Sequence, residues 1–355
     1  MKIAVIGAGN GGQALAAHLS WMGADVSLYD YETAKVAELN ARDCVIELCG
    51  KLSLKARIGL VSDNLAEVVG GAGIIILATT ANAHSIIARQ LAGILTDGQI
   101  VILSPGRTGG ALEFKNIIRD LNCTAKVYVA EAQTLVYACR IVRNGVVNII
   151  GIKDKVLLSA IPSSDTDYVL SRINVYYPCF VAAENVLRTS LENIGAIFHP
   201  CVLLFNAATV ERQDEFWFYR DMTPQIADFI EAFDRERLEV GAAYGVNLLG
   251  VNDWISYAYP DTTGDTLCER MKNNPAYRDI KSPSTIFTRQ LTEDIPTGVL
   301  PIMELGKAAG LKMPLMTSMI EICSRLLGMD FSNGRTLRNL GLSGMTAEEI
   351  IKYLS

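Results

Sequence analysis

Histidine is scarce in this chain: three residues in 355, at positions 18, 84 and 199. An imidazole working as acid or base near neutral pH therefore comes from a list of three. The eight cysteines, at 44, 49, 123, 139, 179, 201, 268 and 323, form no C-x-x-C pair and no Cys/His cluster of metal-ligand spacing. That excludes a zinc ribbon or a thioredoxin-like motif and leaves reduced core thiols, with no metal site expected. Long apolar runs are missing too. The nearest, AGIIILATTANA, falls short of the roughly 18 residues a membrane span needs, so no membrane segment is expected. Nor is there a basic excess: 32 Lys and Arg against 38 Asp and Glu leave a net charge of −6. With a pI near 5.3, the chain lacks the footprint of a nucleic-acid binder. Repeats and low-complexity segments are absent.

What is present is apolar substance, with 50% hydrophobic residues and a mean hydropathy of +0.24. The length suffices for two domains with separate cores, and the composition is that of a cytoplasmic enzyme. The opening MKIAVIGAGNGGQALAAHL nominally fits a signal peptide, with Lys2 ahead of an apolar stretch. Gly7, Gly9, Gly11 and Gly12 break that stretch where an export signal needs an unbroken apolar helix. The order strand, glycine turn, helix and second strand (DVSLYD) is instead that of a βαβ unit. Gly7-x-Gly9-x-x-Gly12 permits a tight turn, close backbone approach to a pyrophosphate and helix-on-strand packing, with the anion at the helix N-terminus. Ala8, Asn10 and Gly11 complete this turn. Asp30 closes the second strand, 18 residues after Gly12. A carboxylate there accepts from both adenosine ribose hydroxyls and repels a 2′-phosphate, so NAD is expected in preference to NADP.

The runs GIIILAT (73–79) and GQIVILSP (98–105) read as strands of a parallel sheet covered on both faces, and KVYVAEAQT, GVVNIIGIK and YYPCFVAAE as later strands. Ligands bind beyond the carboxyl ends of such strands, which singles out Thr79, Ser104 to Gly110 and Glu131 to Arg140. Helical periodicity dominates from about Glu184 onward. The expected fold is an α/β Rossmann dinucleotide-binding domain, residues 1–183, followed by an all-α domain, residues 184–355.

Six motifs then fall together: GAGNGG, SPGRTGGALEF (104–114), EAQTLVYACR (131–140), ENIGAIFHPCVLLFNAA (192–208), RQLTEDIPTGVLP (289–301) and GRTLRNLGL (334–342). In order and spacing the chain resembles the opine dehydrogenases, the octopine and nopaline dehydrogenase family. The resemblance implies an enzyme that condenses an amino acid with a 2-oxo acid, pyruvate being the expected one, and reduces the imine with NADH. It implies His199, before Pro200, and Asp294, in a D-x-P motif, as the catalytic pair. It also implies Arg289 as the arginine for a substrate carboxylate, and Gln133 and Thr134 of EAQT as substrate hydrogen-bonding residues.

Read as residues alone, these positions leave alternatives. His199-Pro200 also suits a helix boundary, Thr292 to Asp294 also suit a helix start, and Arg289 also suits a surface ion pair. Arg107 and Arg140 are weaker carboxylate partners. His18 reads as packing, and His84 follows a strand end near the expected cofactor. Trp217, Phe218, Tyr219, Trp254, Tyr257 and Tyr259 line an apolar amine site or pack a core, the second being the default. Ketopantoate reductases and glycerol-3-phosphate dehydrogenases share the two-domain plan but use a catalytic lysine. From 184 to 276 the chain has only Lys272, and it offers His199 and Asn206 where those families would present theirs. A non-catalytic NADH-sensing protein is a third reading. The sequence identifies neither the amino donor nor the oligomeric state, and it leaves a homodimer open.

Overall fold

The computed structural model describes residues 1–355, which form two compact units. Unit 1 comprises Met1–Ser190 with Asn339–Gly341 and Tyr353–Ser355, and unit 2 comprises Leu191–Arg338 with Leu342–Lys352. Unit 1 thus extends to Ser190, past the expected boundary at 183/184, and takes back two late segments. The extension has a local cause: Thr189 Oγ1 and Ser190 Oγ donate to the carboxylate of Glu131 at 2.8 and 2.6 Å, which ties this stretch to unit 1.

The strands of unit 1 are β1 (Lys2–Ile6), β2 (Asp25–Tyr29), β3 (Val45–Gly50), β4 (Leu54–Arg57), β5 (Leu60–Ser62) and β6 (Ile74–Leu77). They continue with β7 (Ile100–Leu103), β8 (Tyr128–Ala132), β9 (Tyr137–Arg143), β10 (Val146–Ile152), β11 (Val156–Ile161) and β12 (Phe180–Ala182). Eight strands form one sheet in the order β12-β11-β8-β7-β6-β1-β2-β5. Every pairing in it is parallel except β8 with β11. The all-apolar β6 and β7 are wholly buried, as parallel strands covered on both faces must be. The helices of this unit are α1 (Asn10–Trp21), α2 (Thr33–Asn40), α3 (Leu65–Val69), α4 (His84–Leu91), α5 (Gly110–Asp120) and α6 (Thr166–Ile173), and α7 (Val186–Leu191) leads out of it.

A second sheet, in the order β4-β3-β10-β9, has one parallel joint between β3 and β10. GVVNIIGIK therefore belongs to this sheet, and its apolar run reflects packing against α1. The side-chain Oδ1 of Asn10 accepts from the Ile141 N–H at 2.7 Å, fastening β9 to the start of α1.

Unit 2 is helical, with α8 (Gly195–Phe205), α9 (Ala207–Glu211), α10 (Pro224–Ala243), α11 (Val251–Ala258) and α12 (Leu267–Asn273). The short α13 (Arg289–Thr292), α14 (Leu300–Ala308), α15 (Pro314–Leu327) and α16 (Ala347–Leu354) follow. The long α10 starts on a favoured pair: the Thr223 side chain caps Ile226 N–H, and Pro224 occupies the first turn. Its inward face holds an ion pair, Arg237 Nε to Asp234 Oδ1 at 2.6 Å. Arg237 also donates to the carbonyls of Leu191 and Leu249, so the buried charge is fully served.

Candidate active site

In unit 1, β1 ends at Ile6 and Gly7 turns the chain with φ +100°, which a side chain would resist. A Cβ on Gly12 would fall on the carbonyl oxygen of Gly7, so this glycine closes the turn against the helix. A Cβ on Gly9 would meet nothing within 4 Å, leaving room for close approach to the backbone. Helix α1 has no side-chain cap and no acid in its first turn, so its leading N–H groups and dipole are left for an anion. Gly11 is packed beneath the Leu135 side chain. Thr79, whose methyl would contact a Cβ on Gly7, buries a hydroxyl with no protein partner. These features fit a dinucleotide: the turn for its pyrophosphate, Asp30 for a ribose and Thr79 beside the turn.

Asp30 is buried, and the chain itself engages it. Its Oδ2 accepts from the Ala8 N–H at 2.7 Å and from Lys35 Nζ at 3.2 Å, and its Oδ1 from the Glu32 N–H at 3.0 Å. Lys35 partly offsets the carboxylate's charge, a contact that the position of Asp30 at the end of the second strand does not disclose.

The other expected residues of this unit are engaged as well. Gln133 Oε1 accepts from the Leu157 N–H at 3.2 Å, extending the β8–β11 pairing, and Thr134 Oγ1 accepts from Lys153 Nζ at 3.2 Å. Lys153 also donates to the Leu135 carbonyl at 2.7 Å. Burial pushes this amine down to about 8. Glu131, fully buried, accepts from the Ala111 N–H at 3.1 Å besides Thr189 and Ser190, and Gly106 packs on it. SPGRTGG and EAQT thus meet through Glu131. Arg140 is exposed on β9. His18 Nδ1 lies 2.6 Å from the Tyr137 hydroxyl, and burial lowers its proton affinity. His84 is buried at the start of α4.

In unit 2 the structure brings together residues 95 positions apart. His199 Nδ1 lies 2.6 Å from Asp294 Oδ2. The Asp294 side chain is 1% exposed and that of His199 16%. Local sequence explains the approach. Asp294 precedes a π-helical turn, Ile295–Val299, which contains Pro296, a residue without an N–H; Thr297 Oγ1 donates to the Glu293 carbonyl at 2.7 Å. Such turns recur at functional sites. Gly298 lets this turn press on α8: a Cβ there would come within 2.6 Å of Ala196 Cβ. On its other side Gly334 packs against Pro296, whose carbonyl accepts from the Arg335 N–H at 2.8 Å. GRTLRNLGL therefore supports the Asp294 turn. Because a carboxylate only accepts, Nδ1 carries the proton and Nε2 is the nitrogen that faces away from Asp294.

Tyr219, named above only as one of six aromatics with core packing as the default, places its hydroxyl 3.0 Å from His199 Nε2. The ring is stacked on Tyr277 at 4.3 Å and meets Phe218 edge-on at 4.8 Å. Burial pushes its ionisation well up, with the Asp294 charge adding to the effect and Arg289 opposing it. Arg289 is half-exposed, with Nη1 3.7 Å from Glu293 Oε2. Of the six aromatics named above, Phe218 and Tyr219 are buried, whereas Tyr257 is 67% exposed.

Residues 182–327 match the family described as "NAD/NADP octopine/nopaline dehydrogenase, alpha-helical domain", and residues 2–126 match "NAD-dependent glycerol-3-phosphate dehydrogenase N-terminus". Over 349 residues the chain is 36% identical to an opine dehydrogenase of Arthrobacter sp. (strain 1C), covering 98% of this chain and 97% of that protein. The chain belongs to the opine dehydrogenase family. It is an NAD-dependent oxidoreductase acting on CH–NH groups, built as the Rossmann and helical domains expected. It is also 26% identical over 371 residues to "Protein ocs" of Agrobacterium tumefaciens (strain Ach5), covering 100% of this chain and 99% of that one. A solved octopine dehydrogenase carrying NADH and L-arginine has the same fold, with a TM-score of 0.83, 22% identity and coverage of 99% and 98%. In this opine dehydrogenase no helix is long and apolar enough to cross a membrane.

Proposed function

We propose that this enzyme joins an amino acid to a 2-oxo acid, pyruvate first among them, and reduces the resulting imine to a secondary amine dicarboxylate. The observation that carries this reading is the His199–Asp294 contact at 2.6 Å. Condensation expels water and leaves a C=N bond. The nicotinamide of bound NADH supplies the hydride that this carbon needs. The chain's own residues supply the rest. His199 holds the proton destined for the imine nitrogen, and Asp294 fixes the ring's tautomer and its orientation. Arg289 pairs with a substrate carboxylate through its planar fork, and its half-exposed position leaves the guanidinium accessible. Gln133 and Thr134, just beyond the end of β8, serve as substrate hydrogen-bonding groups of unit 1. The solved octopine dehydrogenases with NADH and L-arginine, and with NADH and pyruvate, support this choice of reactant classes.

For the cofactor, we infer a preference for NADH over NADPH. Asp30 is the residue assigned to the ribose, and the residue after it, Tyr31, is exposed and carries no charge of its own for a 2′-phosphate. Lys35 narrows the preference, because its ammonium already sits on Asp30. One assay tests both statements: oxidation of NADH, and in parallel NADPH, with pyruvate and single amino acids in turn. Turnover with one amino donor at least, faster with NADH, is the expected result. Asp30→Ser with Tyr31→Arg should erode the difference. Tight NADH binding without turnover on any oxo acid would instead favour an NADH-sensing protein, and equal use of NADPH would remove the role given to Asp30.

A further inference from the structure

Both ring nitrogens of His199 are taken within unit 2, Nδ1 by Asp294 at 2.6 Å and Nε2 by the Tyr219 hydroxyl at 3.0 Å. An imidazole offers one in-plane hydrogen-bonding site per nitrogen. A proton leaving His199 for a substrate must therefore cross the phenol oxygen or wait for that bond to break. Breaking it is unfavourable here. Tyr219 is buried, its ring is stacked on Tyr277 at an interplanar angle of 21°, and Phe218 packs against its edge at 78°. Swinging the hydroxyl away from Nε2 would mean breaking up this ring packing.

We propose that Tyr219 is the terminal proton donor of this enzyme, completing a path Asp294–His199–Tyr219 in which the phenol oxygen serves the imine nitrogen. The proposal rests on the functional reading above and adds to it the atom that meets the substrate. With neutral His199, the single phenolic hydrogen is committed to Nε2. When His199 carries a second proton, Nε2–H donates to the phenol oxygen and the phenolic hydrogen is released toward substrate. In the transfer the Nε2–H bond breaks as a new O–H bond forms on Tyr219. The original phenolic O–H bond breaks as N–H forms on the imine. One proton leaves the imidazolium, the phenol is regenerated, and nothing is oxidised or reduced in this step. The oxidative direction runs the same bonds backward. Burial, by raising the phenol's ionisation, keeps it in the O–H form that such a relay requires.

The test uses Tyr219→Phe, which keeps the ring and its stack. With only three histidines, a ¹⁵N-histidine spectrum resolves His199 as the signal lost in His199→Ala. Its Nε2 resonance should move in Tyr219→Phe without any substrate present. Single-turnover reduction with pyruvate and the best amino donor should slow by about 10² or more, with NADH affinity unchanged. The wild-type rate in H₂O/D₂O mixtures should curve, as expected for two protons in flight. An unmoved Nε2 resonance would overturn the proposal, as would a Tyr219→Phe enzyme of wild-type rate, and so would a linear solvent dependence in the wild type. A moved resonance in a wild-type enzyme that reduces no amino acid and oxo acid pair would instead overturn the functional reading, and the relay with it.

Discussion

Replacing His199 by alanine is expected to cut turnover by about 10²–10⁴, the usual worth of a positioned acid or base, while leaving NADH affinity nearly unchanged. The two effects separate because the glycine turn and Asp30 lie in unit 1 and His199 in unit 2. Asp294→Asn should also be damaging, though less, because a misoriented imidazole still acts. The loss has a structural source: Asp294 is buried and its Oδ2 holds Nδ1 at 2.6 Å. Since the two side chains act as one unit, the double variant should be scarcely worse than His199→Ala alone. The pH profile of turnover should carry an ionisation that disappears in His199→Ala. A double-mutant cycle on turnover, with NADH titrations alongside, measures all of this. Additive losses would show that the residues do not work as a pair, and an active His199→Ala enzyme would move the chemistry elsewhere.

Gly12→Ala should act on the other unit. The new methyl group would sit on the Gly7 carbonyl, and Gly7 has little freedom to yield because it already holds φ +100°. Overpacking of this kind costs about 1–3 kcal/mol, which expressed in the bound state lowers NADH affinity roughly 5- to 150-fold. Fluorescence titration with NADH reads that loss. The His199 nitrogen resonances should stay in place, since the substitution lies in unit 1. Wild-type affinity in Gly12→Ala would mean that the dinucleotide does not sit over this turn.

How much of this was legible in the sequence depended on how local each demand was. The glycine turn could be read because its requirements, a positive φ and two close backbone approaches, fall on residues a few positions apart. Strands β6 and β7 were readable from their unbroken apolar runs. The second sheet was not, because VVNIIGI in β10 has the same texture whether it sits in a parallel core or beside β9. The strands β3 to β5 are mixed in character, with no unbroken apolar run, so nothing marks them out. His199 and Asp294 lie 95 residues apart, where no spacing rule applies, and only the family resemblance paired them. Tyr219 sits in EFWFYR, an aromatic cluster whose sequence gives no hint which ring turns toward His199. Glu131 was flagged as lying near a strand end, yet its work, gathering Ala111, Thr189 and Ser190, depends on contacts that only the fold creates.

The late segments of unit 1 bear on the order in which the protein is made. Asn339–Gly341 and Tyr353–Ser355 follow nearly all of unit 2 in the chain. Gly109, at the start of α5, lies beneath the Leu340 side chain, and Asn116 Nδ2 donates to the Asn339 carbonyl at 3.1 Å. A nascent chain therefore emerges from the ribosome with its nucleotide-binding half still missing side chains that cover α5. That half closes only after the helical half has been synthesised. A cut at Ser190 would reproduce this intermediate and not a finished domain.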